Sequence, residues 1–527
     1  MPSPIFPLAD PSRITRRTFV TGAASFAAAA LFSTRALGAI TTRPTFSAYP
    51  FQLGIASGDP AADGFVLWTR LAPKPLEEGG GMTHNSVEVA WQVAEDEGLS
   101  RIVDRGTAIA TAPWAHSVHV EVAGLKPDRW YWYRFKAGSE TSPIGRTRTL
   151  PAAGMTPERL RFAFASCQHY EPGYFTAYEH MSREDLDLIV HLGDYIYEGG
   201  TSDQGPRRHN GAATFTLSDY RARYSLYKSD PALQATHAMA PWIVTWDDHE
   251  VVNDYASDLP GEEGSVSRDD FLLRRAAAYQ AYFEHMPLRR SALPTGPDML
   301  LYRRLAYGTL AQFHVLDTRQ YRTDQPCGDG NRPPCPETLN PKATALGEKQ
   351  RDWLFTGLER SPTAWNVLAQ QIMMARVDRT AGPEVTMSMD QWPGYEIERR
   401  RVLRHFHDKK IGNPIVLTGD IHTNWANELI NDFDRPDSTV VGTEFVGTSI
   451  SSGGDGVAQV KKQDQLLSEN PFVKFHNAER GYVSCEVTPS QWRTHYRTVE
   501  YVSRPGAPLK TRASFVVESG RPMLQRA

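Results

Sequence analysis

Hydrophobic and polar positions follow two different patterns along this chain. From about residue 48 to 150, segments such as "GFVLWTRL", "SVEVAWQVAED" and "RWYWYRFKAG" alternate apolar with polar residues and are bounded by Gly, Pro, Asp or Ser. A period of two with frequent turn residues is typical of antiparallel strands. The pattern predicts a small N-terminal all-β sandwich over residues 48–150.

The pattern changes after the linker-like segment "LPAAGMTPERL". Apolar runs that end in polar residues now alternate with helical segments, and two of these helices begin with capping signals, at Thr216 with Asp219 and at Ser267 with Asp270. This alternation predicts a layered α/β domain with a mostly parallel sheet over residues 158–527. The predicted strands are "LRFAFASC", "LDLIVHLGD", "PWIVTWDDHE", "LAQFHVLDTR", "AWNVLAQQ" and "NPIVLTGDIH".

Residues 1–39 have the layout of a removable export signal. The pair Arg16 and Arg17 precedes Phe19, an uncharged Ala-rich stretch follows, and small residues offer a cleavage point near Ala39. The order Thr-Arg-Arg-Thr-Phe resembles a twin-arginine signal. A membrane anchor is the alternative, but the apolar stretch is shorter than the ~18 residues that span a bilayer. We therefore predict export by the twin-arginine machinery, a periplasmic or secreted location, and no transmembrane anchor after cleavage.

The composition is that of a soluble globular protein, with 40% hydrophobic and 22% charged residues in a chain of 527. The net charge is −4, and removal of residues 1–39, which carry +3, leaves −7. An acidic chain lacks the basic field of a general nucleic-acid binder, so no stable nucleic-acid partner is expected. Cys327 and Cys335 bracket a Gly/Pro loop, which favours a small disulfide over two free thiols, and Cys485 is expected to pack within a strand.

Polar residues with metal-binding chemistry follow five of the predicted strands. Ligands of layered α/β sheets bind beyond the carboxyl ends of the strands, so these side chains are expected to converge. Uncompensated carboxylates in one buried cluster repel one another and are costly to desolvate, and metal cations are the simplest compensation. The residues are Cys167, Asp194 with Tyr197, Asp248 with His249, Gln371, and Asp420 with His422.

The donor types favour two different metals. Asp194 is suited to bridge both through its two carboxylate oxygens. A tyrosine ionises near pH ~10, so Tyr197 requires a strongly acidic cation such as Fe³⁺ to bind as a phenolate. Cys167 as a thiolate and His422 through an imidazole nitrogen would complete that site. The harder oxygen donors, which define a second site suited to Ca²⁺, Mg²⁺ or Mn²⁺, are Asp248 and Asp420.

Each of these residues also has an ordinary structural interpretation. Asp194 is compatible with a turn or a helix cap, Tyr197 with packing, and Cys167 with a core position. His249 is either catalytic or a histidine that is hydrogen-bonded behind the ligands. Asp247 is expected to orient its neighbours rather than to bind a metal.

Five motifs follow one another along the chain: Cys167, "GDYIY" at Asp194, "WDDHE" at Asp248, "LDTRQYR" at Asp317 and "GDIHTNW" at Asp420. With the leader and the β-rich segment they resemble the PhoD-type alkaline phosphatase and phosphodiesterase family, which belongs to the purple acid phosphatase-like metallophosphoesterases. The resemblance implies a four-layer αββα metallophosphatase domain behind a fibronectin/Ig-like sandwich. It also implies Fe³⁺ and one or two Ca²⁺ ions.

The resemblance carries the metal ligands over to positions of this chain. The Fe³⁺ ligands that it implies are Cys167, Asp194, Tyr197 and His422. The Ca²⁺ ligands that it implies are Asp194, Asp248, Asp420 and, from the segment "RHNG", Asn210.

The donor set and the resemblance together predict an exported, metal-dependent alkaline phosphatase or phosphodiesterase, with a phosphate mono- or diester as substrate. A metal-bound hydroxide or oxide would attack phosphorus, and His249 would protonate the leaving alkoxide. Arg319 would clamp the phosphate or else form a structural salt bridge. The alternatives are a phospholipase-D-like phosphodiesterase that acts on lipid head groups and, in another class, a non-catalytic surface- or wall-binding protein with a structural metal site.

Overall fold

The structure is a computed structural model that describes residues 39–261 and 266–527. The predicted export signal, residues 1–39, lies outside the described residues except for Ala39. Among the helices of the described residues, none combines the length and the apolar character needed to cross a membrane.

The N-terminal region is built from antiparallel strands, as the alternating pattern predicts. One group has the order β4-β3-β6-β7 with β8 beside β6, and in the other β2 lies between β1 and β5. Phe65, Leu67, Val89 and Phe135 from the two groups share one buried apolar core. The strands are β1 (Ile55–Ala61), β2 (Gly64–Arg70), β3 (Ser86–Ala94), β4 (Ile102–Thr111), β5 (Ser117–Val122), β6 (Trp130–Ala137), β7 (Glu140–Thr141) and β8 (Gly145–Arg148).

Sixteen further strands follow in the part of the chain that the structure describes, and they include all six predicted ones. The first eight are β9 (Leu160–Ala165), β10 (Leu188–His191), β11 (Trp242–Val244), β12 (Arg303–Tyr307), β13 (Ala311–Val315), β14 (Asn331–Arg332), β15 (Trp365–Ala369) and β16 (Met387–Ser388). The others are β17 (Pro414–Thr418), β18 (Asn424–Ile430), β19 (Val440–Val446), β20 (Gly456–Val457), β21 (Val473–Val487), β22 (Gln491–Val499), β23 (Leu509–Glu518) and β24 (Arg521–Arg526).

The described residues also form seven α-helices. Both predicted capping signals are confirmed, because Thr216 and Asp219 form a reciprocal capping box and the Ser267 side chain accepts a hydrogen bond from the backbone N–H of Asp270. The helices are α1 (Thr176–Met181), α2 (Leu217–Lys228), α3 (Pro231–Met239), α4 (Arg268–His285), α5 (Glu348–Glu359), α6 (Glu396–Asp408) and α7 (Gln463–Glu469).

The predicted strands form two parallel sets that a later strand joins. Strands β9, β10 and β11 are parallel to one another, and so are β13, β15, β17 and β19. The long strand β21 pairs antiparallel with β9 at Val483 and with β18 at His476, so that both sets belong to one sheet of 17 strands in the described residues. The C-terminal strands β21 to β24 are antiparallel, because short connections join them. The fold is therefore a mixed α/β fold rather than a mostly parallel one.

Alternate side chains of the parallel strands enter different cores. Val190 of β10 and Val367 of β15 belong to one buried cluster, in which Phe162 contacts Phe313 with ring centroids 5.4 Å apart. Ile189 of β10 packs with residues of α1 to α4 in a second cluster. Leu368 and Val416 pack with α5 and α6 in a third. Each parallel strand is thus buried on both faces, which explains its continuous apolar sequence.

The expectations for the cysteines outside the candidate site are confirmed. Cys327 and Cys335 form a disulfide. Cys485 is a free cysteine that is buried within β21.

Strand β1 connects the N-terminal region to the large sheet. Gly58 of β1 lies beside Trp242 of β11 in a parallel pairing. The three strands β1, β2 and β5 therefore continue the sheet that carries β9, β10 and β11.

Candidate metal centre

The polar residues that follow the parallel strands meet at one edge of the sheet. Cys167 follows β9, Asp194 follows β10, and Asp420 follows β17. The backbone N–H of Cys167 donates to the carbonyl of Gly193 at 3.1 Å, and the N–H of Gln168 donates to the carbonyl of Asp194 at 3.0 Å. These bonds fix the ends of β9 and β10 against each other just beyond the sheet.

Four of the predicted metal ligands have left-handed backbone conformations. The φ angles are +59° at Cys167, +56° at Asp194, +63° at Asp420 and +57° at His422. Non-glycine residues in sparsely populated backbone regions cost about 1–3 kcal/mol each and cluster at functional sites. The sharp turn after each strand aims the side chain back across the strand ends.

The soft donors and one carboxylate lie together. One potential ligand atom from each of Cys167, Asp194 and His422 lies within 4.8 Å of the others. The Tyr197 hydroxyl donates to Asp194 Oδ2 at 2.9 Å and lies 3.0 Å from His422 Nε2. The structure therefore brings together all four residues that the sequence assigns to the first metal.

The remaining carboxylates form an adjoining group that shares Asp194 with the first. Ligand atoms of Asp194, Asp248 and His249 lie within 4.8 Å of one another, and so do those of Asp247, Asp248 and Asp420. A carboxylate common to both groups is the arrangement that two neighbouring cations require.

The electrostatics of this cluster fit cations. Burial raises the pKa of Asp194 well above its usual range, Asp248 and Glu250 add to this, and His249 offsets part of it. Asp194 Oδ1 and Asp247 Oδ2 are buried and have no hydrogen-bond partner within residues 39–261 and 266–527. Buried carboxylate oxygens are normally satisfied, so a pair of orphaned ones beside sulfur, phenol and imidazole donors suits metal ions.

Tyr197 and Cys167 require a cation in order to ionise here. Burial raises the pKa of Tyr197 well above its usual range, and Asp194 and Cys167 raise it further. Burial likewise raises the pKa of Cys167, with Asp194 adding to it. Both side chains are therefore neutral without a metal. Each would have to release its proton in order to bind a metal ion as an anion.

His249 is held by a carboxylate that the sequence analysis did not single out. Its Nδ1 lies 2.7 Å from Glu198 Oε2. Burial by itself lowers the pKa of His249, but Glu198, Asp194 and Asp248 outweigh that effect and raise it well above the usual range. The ring lies 4.1 Å from the Tyr197 ring, centroid to centroid, at the candidate metal site.

Arg319 is fully buried, and among the described residues its guanidinium contacts only carboxylates. Its Nη1 and Nη2 donate to the two oxygens of Asp390 at 2.7 and 2.9 Å, Nε donates to Asp247, and Nη2 lies 3.4 Å from Asp420 Oδ1 and 3.7 Å from Asp248 Oδ2. These contacts are those of the structural salt bridge that the sequence left open. A phosphate clamp at Arg319 stays a prediction, and it would have to compete with four carboxylates.

Arg379 contrasts with Arg319 and was missed in the sequence. Its Nη1 is buried without a hydrogen-bond partner, and its guanidinium carbon lies 5.5 Å from the centre of the Trp425 ring. Burial lowers the pKa of Arg379, and Asp420 partly offsets this. The surrounding loop is tied down by Asp378, which accepts from the N–H of Thr380 and Thr386 at 3.1 and 3.0 Å. No local pattern distinguishes this arginine from the others in the chain.

Three further acidic residues organise the site. Glu250 accepts hydrogen bonds from the backbone N–H groups of Asp194 and Asp247 at 3.1 and 2.7 Å, which ties the ends of β10 and β11 together. Asp390 accepts hydrogen bonds from Arg319 and Arg322. Glu198 directly follows the quoted motif "GDYIY" and Glu250 ends "WDDHE", so their positions were visible in the sequence, whereas nothing around Asp390 marks it.

Two strand-end or loop candidates lie apart from the ligand groups. The Gln371 amide forms hydrogen bonds with Thr245, Trp246, Leu316 and Thr318. The Asn210 amide donates to the carbonyl of Ala222 at 3.3 Å, and its buried Oδ1 has no partner. The described contacts do not bring Asn210 to the carboxylates, so its calcium role stays a prediction.

Comparison with known proteins identifies the class. A family model described as "PhoD-like phosphatase" matches residues 162–496, and one described as "PhoD-like phosphatase, N-terminal domain" matches residues 37–151. The alkaline phosphatase D of Bacillus subtilis (strain 168) is 52% identical over 97% of this chain and 89% of that protein. A solved structure titled "Structure of PhoD" superposes with a TM-score of 0.90 at 53% identity, over 92% of this chain and 93% of that one.

These matches define the chain as a phosphoric ester hydrolase. It belongs to the PhoD-like phosphatase family, as the order of its motifs implies.

Proposed function

We propose that the protein is an exported, metal-dependent alkaline phosphatase or phosphodiesterase that works at the strand-end cluster. The observation that carries the proposal is the meeting of Cys167, Asp194, Tyr197 and His422, with a buried Asp194 oxygen that has no partner. Family membership supports hydrolysis rather than the non-catalytic alternative.

The donors divide between two kinds of cation. Thiolate, phenolate and imidazole donors suit Fe³⁺ at Cys167, Tyr197 and His422, while Asp248 and Asp420 suit Ca²⁺, and Asp194 would serve both. When bound, these cations supply Lewis acidity, which makes water a better nucleophile near neutral pH and offsets negative charge on a phosphoryl group.

His249 is the proposed acid for the leaving alkoxide. Glu198 contacts Nδ1 at 2.7 Å, which fixes the ring and favours the protonated imidazole. The other ring nitrogen is then the atom that gives up a proton. A fixed ring beside the donor cluster meets the geometric requirement for a general acid better than a mobile surface histidine.

Arg379 is proposed to contact the phosphate. A buried guanidinium nitrogen without a partner is costly unless a ligand satisfies it, and a phosphate oxygen is an ideal acceptor. Arg319 would instead hold Asp247, Asp390 and Asp420 in place. This assignment transfers the phosphate-binding role predicted for Arg319 to a residue with a buried guanidinium nitrogen that has no hydrogen-bond partner in the described part of the chain.

The remaining expectations are part of the same proposal. The domain limits, 48–150 and 158–527, are supported by the two family matches, which change over between residues 151 and 162. The four-layer αββα arrangement is supported by Val190 and Ile189, neighbours in β10 that enter different cores. Export by the twin-arginine route rests on residues 1–39 alone.

The test is hydrolysis and metal content measured together. Asp194→Ala is expected to abolish turnover of p-nitrophenyl phosphate and to lower both iron and calcium in the purified protein, whereas Asp434→Ala, at an exposed ion pair, should change neither. Wild-type turnover of the monoester, its bis-ester and phosphatidylcholine ranks monoesterase, diesterase and phospholipase activities. Substantial activity in Asp194→Ala would refute the bridging carboxylate.

A further inference from the structure

The loop that carries Ser452 reaches the oxygen of Tyr197. Ser452 Oγ lies 2.7 Å from the Tyr197 hydroxyl oxygen, and both residues are almost completely buried. Ser452 follows the strand β19 in the sequence "GTSISSGGDG", which none of the family motifs includes. Neither the sequence nor the proposed mechanism gives this hydroxyl a function.

The position of Ser452 is fixed from several directions. Its backbone N–H donates to the carbonyl of Cys167 at 3.3 Å, and its own carbonyl accepts from Ser449 Oγ at 2.8 Å. Arg480 ties the following glycines down, because Nε donates to the carbonyl of Gly454 at 2.8 Å and Nη1 donates to the carbonyl of His422 at 2.6 Å. The loop is thus anchored to two of the proposed metal ligands.

Position 453 favours glycine. Gly453 has a φ of +83°, a backbone conformation that L side chains rarely adopt, and a Cβ atom there would lie 2.8 Å from Arg480 Nη2. A side chain would strain this backbone and displace the end of the Arg480 side chain, which anchors the loop. The left-handed turn at Gly453 therefore helps to hold Ser452 beside Tyr197.

An ionised Tyr197 leaves Ser452 as its hydrogen-bond donor. The contacts of the Tyr197 oxygen are Asp194 Oδ2, His422 Nε2 and Ser452 Oγ. A carboxylate cannot donate, and an imidazole nitrogen that binds a metal carries no proton. Ser452 Oγ also lies 2.7 Å from the carbonyl of Cys167, which is a competing acceptor for the same hydroxyl proton. A phenolate is the stronger acceptor, so the hydroxyl proton goes to it.

The ring of Tyr197 is held as firmly as its oxygen. The His169 ring stacks on it at 4.3 Å with an interplanar angle of 10°, and the His249 ring lies 4.1 Å away. Two rings cannot both stack on one face at these distances, so the phenol lies between them. The direction of the oxygen, and hence the hydrogen bond, is well defined.

We propose that Ser452 is a positioning residue that donates a hydrogen bond to the phenolate oxygen of Tyr197 and so tunes the bond between that phenolate and its metal. The inference rests on the proposed iron site. A hydrogen bond to the charged form stabilises the phenolate lone pairs, so it weakens their donation to the metal and raises the energy of the phenolate-to-metal charge transfer.

The experiment uses the visible spectrum and the resonance Raman spectrum of the iron-loaded full chain. Ser452→Ala should shift the charge-transfer maximum to longer wavelength and should remove the change in the phenolate C–O stretch that D₂O causes in the wild type. Ser451→Ala is the matched control. Its hydroxyl donates to the carbonyl of His169 at 2.7 Å, so its band should stay at the wild-type position.

The outcomes separate this inference from the iron site itself. Identical bands and identical D₂O effects in the wild type and Ser452→Ala would overturn the inference alone. A wild-type protein with full iron content and no phenolate band would overturn the iron–tyrosine pair as well. If Ser452→Ala loses its iron, Ser452→Thr decides. A band that keeps both its wild-type position and its D₂O sensitivity, or that loses both, supports the inference, and a band that loses the D₂O sensitivity without a shift refutes it.

Discussion

At the scale of residues, two arginines of the site differ in how far their guanidinium groups are hydrogen-bonded. Arg319 is surrounded by Asp247, Asp390 and Asp420, whereas Arg379 is half-buried and its buried Nη1 has no hydrogen-bond partner among the described residues. A fully paired guanidinium contributes to the structure of the site. One with an unsatisfied nitrogen gains most when an anion binds.

Removal of the Arg379 guanidinium should therefore lower the catalytic rate more than the stability of the fold. Arg379→Ala is expected to lower kcat/KM for p-nitrophenyl phosphate about 10–100-fold, since a hydrogen bond to a charged group contributes about 1.5–3 kcal/mol. Inhibition by inorganic phosphate should weaken in parallel. Arg376→Ala is the control, because that guanidinium bonds Asp434 and the carbonyl of Phe433. Equal kinetics in the two variants would exclude Arg379 from the phosphate site.

Removal of the buried Asp390 carboxylate should lower the free energy of unfolding. Asp390→Asn leaves Arg319 and Arg322 short of an anion in the interior, and breaking a buried pair costs about 3–5 kcal/mol. Asp434→Asn breaks the exposed pairs with Arg376 and Arg400 and should cost about 0–1 kcal/mol. Chemical denaturation of both variants measures the difference, and similar unfolding free energies would contradict it.

At the scale of elements, a glycine lets two strand ends touch. Gly193, at the end of β10, has a φ of +106°, and a Cβ atom there would lie 2.5 Å from both the backbone nitrogen and the Cβ of Asp247. Asp194 and Asp248, which directly follow Gly193 and Asp247, belong to the candidate site. The spacing of the site therefore depends on a backbone contact and not only on the donors themselves.

Gly193→Ala should separate the ends of β10 and β11. We expect a loss of about 1–3 kcal/mol in unfolding free energy from strain and overpacking, together with lower calcium occupancy. Gly199→Ala is the control in the same segment, because no atom of the described residues lies within 4 Å of the added Cβ. Its effect on the unfolding free energy should stay within about 0.5 kcal/mol. Calorimetry and metal analysis check both, and full metal content in Gly193→Ala would refute the spacing argument.

The elements also show how far local sequence patterns reach. Strand β10 was predictable because Ile189 and Val190 are both buried, which gives a continuous apolar run before Gly193 and Asp194. Strand β21 could be read as a strand, but its pairing could not, since Phe164 meets Val483 only through the tertiary fold. The meeting of Cys167, Asp194, Asp248 and Asp420 was predictable because each follows a predicted strand, whereas Asp390 and Ser452 reach the cluster only through the tertiary fold and carry no local signal.

At the scale of the whole molecule, a partly buried histidine links the N-terminal region to the catalytic region. His119 of β5 places Nε2 2.9 Å from the carbonyls of both Phe283 and Met286 at the end of α4, and its ring stacks on Phe283 at 4.5 Å. Burial and, less strongly, Arg290 lower the pKa of His119, the two carbonyls and Glu121 raise it, and the net result is a pKa of about 4. Burial of the ring thus favours its neutral form.

Acid should weaken this contact over a defined range of pH. The folded-state pKa of His119 lies below the ordinary value of about 6.5, so the unfolded chain binds more protons between pH 6.5 and 4. Stability that is complete above pH 6.5 is therefore lost as the pH falls toward 4. The melting temperature of His119→Gln should fall less between pH 7 and pH 5 than that of the wild type. His407→Gln, at an exposed position on α6, should match the wild type, and equal slopes in all three proteins would contradict the prediction.

Because β21 joins the two parallel sets, its late position in the chain has a consequence for the order in which the protein folds during synthesis. All the proposed metal ligands, from Cys167 to His422, leave the ribosome before Val473–Val487, the strand that joins the two parallel sets. Until then the two parallel sets lack the strand that pairs with both. We therefore expect the catalytic region to complete its sheet, and with it the framework of the site, only at the end of synthesis.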